Sequence, residues 1–104
     1  MKRIIDGIAY DTERATEISS ASSGGSTADY HFWAENLYKT AKGRWFVYGK
    51  GGAGTQWSVT VEGDHWQGGS DITPLTPDEA QAWLEQYASA DIVLEHFADK
   101  IQEA

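Results

Sequence analysis

Cysteine is absent from this 104-residue chain, which excludes disulfides, thiolate zinc sites and thiol nucleophiles together. Long hydrophobic runs are absent too. Ile4-Ile5 is broken at once by Asp6-Gly7, so the start reads as carrying no signal peptide, and no stretch approaches transmembrane length. Positive charge is scarce. Eight Lys and Arg face 16 Asp and Glu, a formal charge of −8. That balance speaks against direct contact with DNA or RNA, whose phosphates require clustered cations, and against an anionic membrane surface. A protein of the cytoplasm is expected.

What is present is a normal globular mixture, 40% hydrophobic and 23% charged, with five Trp, five Tyr and three Phe. The length suits one domain spanning residues 1–104, and the aromatics supply much of the area that a small core needs. The charge is unevenly placed. Residues 1–58 hold seven basic and six acidic side chains, whereas residues 59–104 hold ten acidic ones and Lys100 alone. A uniform solubility charge would not be so divided.

Arg3-Ile4-Ile5 and Ile8-Ala9-Tyr10 read as a hairpin turned at Asp6-Gly7. Asp11-Thr12 offers a cap for one or two helical turns over 13–18, and the small polar residues 19–29 read as a surface loop. From Tyr30 the pattern is β: His31–Trp33, Asn36–Thr40, the dense apolar run Arg44–Tyr48, then Thr55–Glu62, His65–Gln67 and Ile72–Leu75. Thr76-Pro77-Asp78-Glu79 is a capping box with proline at the first helical position. The helix it starts presents Ala80, Trp83, Leu84 and Tyr87 on one side. A second helix from about residue 89 is expected to bury Val93, Leu94, Phe97 and Ile101. Strands followed by helices imply an α+β domain: a small antiparallel sheet of three to five strands with two C-terminal helices on one face.

Gly49, Gly51 and Gly54 match G-x-G-x-x-G, but a dinucleotide site needs a helix opening at the last glycine, and the following residues read as a strand. The segment is therefore expected to be a flexible hairpin loop. His31, His65 and His96 lack metal-ligand spacing, and no serine sits in a nucleophile elbow. No catalytic residue, metal site or cofactor is expected, and the chain does not read as an enzyme. Trp45 and Trp83 read as core. Trp33, Trp57 and Trp66 are open to two readings, core or an exposed stacking surface for a small ligand or carbohydrate.

The acidic pattern is the most specific feature. Asp91, Glu95, Asp99 and Glu103 recur every fourth residue, which on a continuous helix places a carboxylate about every 6 Å, near the spacing of phosphates along a nucleic-acid strand. Like charges so spaced weaken a helix. Asp78, Glu79 and Glu85, with Glu62, Asp64 and Asp71, extend the pattern towards a broad negative face. Its ordinary reading is a solvated surface. The charge asymmetry is what points instead to an interface, with Trp66 or Tyr87 as an aromatic anchor.

Ile4-Ile5-x-Gly7-x-x-Tyr10-Asp11-Thr12-Glu13-x-Ala15-Thr16-Glu17-Ile18, Leu37-Tyr38-Lys39-Thr40-x-x-Gly43-x-x-Phe46, Trp66-x-Gly68-Gly69-x-x-Ile72-x-Pro74-Leu75-Thr76 and Glu79-Ala80-x-x-Trp83-Leu84 resemble a family of short proteins of phages and mobile elements. Small acidic proteins of that origin include anti-CRISPR proteins, and this chain looks like one. The resemblance implies a stoichiometric inhibitor that binds a CRISPR effector complex on its basic DNA-binding surface. Two other expectations stand beside it: a binding module built on exposed tryptophans, and an antitoxin-like acidic regulatory partner.

Overall fold

A computed structural model of the chain describes residues 1–25, 30–60 and 66–104, with the backbone alone described at 59, 60, 66 and 67. The architecture is α+β. Strands β1 (Lys2–Ile5) and β2 (Ile8–Asp11) form a hairpin in which Ile5 faces Ile8. Asp6 and Gly7 both have positive φ, 53° and 78°, the left-handed pair that a tight hairpin turn requires.

The expected helix over 13–18 does not form. The Asp11 carboxylate accepts from the Glu13 N–H at 3.0 Å, and the Asp11 carbonyl accepts from the N–H groups of Arg14 and Ala15. This single turn then opens into strand β3 (Thr16–Ser22), with β-branched Thr16 and Ile18 favouring extended backbone. Ser19–Ser22 therefore belong to a strand rather than a loop, whereas residues 26–29 of the expected loop lie outside the described residues. A bulge between Glu17 and Ser19 shifts the register, and Ile18 and Ala21 both reach the core beneath the helices.

The main sheet is antiparallel, ordered β3, β4 (Trp33–Lys39), β5 (Trp45–Gly51) and β8 (Gly69–Leu75). Ala34-Glu35 does not interrupt the strand: β4 runs through it from Trp33 to Lys39, and His31 and Phe32 of the first expected segment lie ahead of it. A turn at residues 40–44 joins β4 to β5, closed by the Arg44 N–H on Thr40 Oγ1 at 3.0 Å and by Gly43 at φ 85°. Trp45, Phe46 and Val47 are buried in succession because both faces of β5 are covered. Residues 55–58 are not strand. A minor ribbon pairs β6 (Val59–Thr60) with β7 (Trp66–Gln67), and Glu62, Asp64 and His65 lie outside the described residues.

Helix α1 (Pro77–Tyr87) starts at the expected box, with Glu79 N–H on Thr76 Oγ1 at 3.1 Å and Thr76 N–H on the Glu79 carboxylate at 2.9 Å. It buries Ala80, Trp83 and Leu84. Helix α2 (Ala90–Phe97) buries Val93 and Phe97. Together with Leu37, Trp45, Val47 and Trp57 they form the larger core on one face of the sheet. On the other face Tyr10 of the hairpin packs on Phe46 and Ile72. The β1–β2 hairpin and the two helices thus sandwich the sheet. No helix among the described residues is long and apolar enough to cross a membrane.

Candidate functional site

The last helix is shorter than the acidic repeat. It ends at Phe97, a 3-10 turn covers Ala98–Lys100, and Ile101 is extended. Asp91 and Glu95 therefore share a helical face, Asp99 sits in the turn, and Glu103 lies beyond it. The continuous four-carboxylate stripe is not formed. Two physical causes act together: stacked like charges disfavour further helical turns, and Lys100 folds back to the Asp78 carboxylate at 3.1 Å while lying over the Phe97 ring.

The carboxylates nevertheless share one layer. Asp78, Glu79, Glu85, Asp91, Glu95, Asp99 and Glu103 are all exposed, with Lys100 the only Lys or Arg from Thr76 onwards. Three are partly occupied. Asp78 pairs with Lys100, Glu79 closes the capping box, and Glu85 accepts from Gln81 Nε2 at 2.9 Å. Asp91 stands in the first turn of α2, where the helix dipole favours a negative charge.

Three exposed apolar groups stand in this layer. Tyr87 is 38% exposed and rests on Trp33 and Trp83, with ring centroids 5.6 and 5.1 Å away. Leu94 was expected inside but is 46% exposed, on the outer face of α2 with Asp91 and Glu95. Ile101, also expected inside, is 36% exposed. Helical spacing assigned both to the apolar side. The early stop of α2 and the burial of Val93 and Phe97 orient the helix so that Leu94 is left outside. The Trp66 side chain is outside the described residues.

The glycine motif is a packing device rather than a flexible loop. Gly49 and Gly51 lie within β5. A β-carbon at Gly49 would fall inside the Trp57 ring, at Gly51 on the Thr55 hydroxyl, and at Gly54 on the Tyr30 ring. The glycines let three side chains close over the strand end. Trp57 is buried there, and its Nε1 has no hydrogen-bond partner among the described residues. Beside it Glu35 accepts from Trp83 Nε1 at 2.8 Å and from Gln56 Nε2 at 3.1 Å. A cavity of about 470 Å³ lies here, between Trp33, Glu35, Trp57 and Tyr87. Trp45 and Trp83 are core, as expected. Trp57 is buried, whereas Trp33 is half-buried, packed on Tyr87 and lining the cavity.

Among the described residues, no three His, Asp or Glu side chains stand together as a metal-binding group. Tyr38 lies on the hairpin side of the sheet, stacked on Phe46 and away from the helical layer. Burial, then the Glu17 carboxylate and Tyr48, push the Tyr38 phenol above its usual value.

No model of a known protein family matches the chain, and neither does a curated protein or a solved structure.

Proposed function

We propose that the protein is a non-catalytic, stoichiometric inhibitor that docks its helical layer against the cationic, nucleic-acid-binding surface of a partner complex. The partner implied by the resemblance is a CRISPR effector, and the site of action is the cytoplasm of the host bacterium. One observation carries the reading: an exposed leucine, Leu94, stands on the same helical face as Asp91 and Glu95, in a layer with seven carboxylates and one lysine. Exposed charge pairs contribute little affinity singly. Their collective field instead speeds encounter and selects a basic partner. A desolvated apolar centre supplies the holding energy, and Leu94 with Tyr87 fits that part. Asp91 and Glu95 flank Leu94 on α2 and Glu85 lies two residues before Tyr87 on α1, with Asp78 and Glu79 at the start of α1, Asp99 in the 3-10 turn and Glu103 beyond it.

The test is displacement of labelled target DNA from purified, guide-loaded effector complexes. Wild-type protein should displace DNA at near-equimolar ratios, and Asp91→Ala/Leu94→Ala/Glu95→Ala should be weaker by at least about tenfold while melting normally. Equal potency of the two proteins would refute docking through the helices. An antitoxin-like partnership would use the same electrostatics, and would appear as binding to a basic partner without displacement of effector-bound DNA.

A further inference from the structure

One cavity lies away from the helices. It measures about 620 Å³ and opens between the β1–β2 hairpin and the β4–β5 turn. Its lining brings together Lys2, Arg14, Lys42 and Arg44, half of all the Lys and Arg in the chain, with one carboxylate, Asp11. These residues come from three separate segments, so the fold and not a run of sequence creates the cluster. Asp11 is only 13% exposed, and its carboxylate stands 4.0 Å from both Lys2 Nζ and Arg14 Nε. One partly buried negative charge thus faces two cations. Among the described residues neither Lys42 nor Arg44 has a carboxylate within 4.0 Å, and both are exposed. The wall carries a net charge of three positive units, in a protein whose total is −8.

A concave site lined by one sign of charge focuses its field on whatever enters. Guanidinium groups present paired donors that match phosphate oxygens, and lysines add point charges. The volume falls within the range of small-molecule sites, about 300–1,000 Å³. Among the described residues no aromatic ring lines the cleft, so none of them would stack on a nucleobase there. A long nucleic-acid strand would also run past the cleft into the field of a strongly negative protein. The anion that fits is therefore short and dense in charge.

We propose that this cleft is a binding site for a compact oligophosphate, read through its phosphate chain alone, whether free or carried by a nucleotide. The site lies across the sheet from the helical layer and does not depend on the inhibitor reading. The experiment is calorimetric titration of the intact protein at low salt with tripolyphosphate, with ATP and with oligothymidine. Saturable one-to-one binding of tripolyphosphate that weakens with added salt is expected. Lys42→Glu/Arg44→Glu should lower the affinity by at least about tenfold, while Asp91→Ala/Glu95→Ala should leave it unchanged. If the double variant fails to fold, Arg14→Gln, whose side chain is 86% exposed, takes its place. ATP binding no tighter than tripolyphosphate fits a site that reads phosphates only. Tighter ATP would overturn phosphate-only reading, and tighter oligothymidine would replace the compact ligand with a strand. Absence of saturable binding, or charge reversal without effect, would overturn the site itself. Neither of those results would touch DNA displacement by the helical face.

Discussion

The two faces of the four-stranded sheet are covered differently and charged differently. On one face two helices cover a core of Leu37, Trp45, Val47, Trp57 and Trp83 and present exposed carboxylates outward. On the other a short hairpin covers Phe46 and Ile72 through Tyr10, and four cations line the cleft at its base. Arg3 of that hairpin also reaches the edge of β8, pairing with Asp71 and donating to the Ile72 carbonyl at 3.3 Å. Net composition hides this division. A protein of charge −8 need not be negative everywhere, and each face has to be weighed for its own partner.

The comparison breaks most severely at Gly49. Replacement by Ala has no room against the Trp57 ring, and we expect a loss of about 3 kcal/mol in urea unfolding. Gly7→Ala on the hairpin side meets open space but keeps φ at 78°, so about 1–2 kcal/mol is expected. Leu94→Ala should change stability by less than about 0.5 kcal/mol, yet weaken partner binding. Lys100→Ala removes an exposed pair with Asp78 and should cost less than about 1 kcal/mol. The smallest effect concerns pH. The Tyr38 phenol is raised in the folded state, so its contribution is complete below the ordinary tyrosine value and declines as pH rises through the raised one. Denaturant midpoints measured across the alkaline range should fall in Tyr38 protein and less so in Tyr38→Phe.

Local chemistry was the most legible part of the sequence. Asp6-Gly7 and Thr76-Pro77-Asp78-Glu79 announce their turn and helix start because the signal and the structure use the same adjacent atoms. Ser19–Ser22 misled for the converse reason: an edge strand with half its surface in water tolerates serine, and its pairing to β4 is a tertiary event. The acidic repeat falls on exposed residues but overextends the helix, since periodicity does not register Lys100 turning back to Asp78. The cationic cleft was invisible. Lys2, Arg14 and Arg44 become neighbours only when the hairpin lies on the sheet.

The central claim is that the helical face, and not the hairpin face, meets the protein partner. DNA displacement from guide-loaded CRISPR effector complexes tests it most directly, comparing wild type with Asp91→Ala/Leu94→Ala/Glu95→Ala and with Lys42→Glu/Arg44→Glu. The account predicts displacement by wild type and by the cleft variant, and its loss in the helical variant. Displacement by the helical variant as strong as that of wild type, or none by wild type itself, would contradict it.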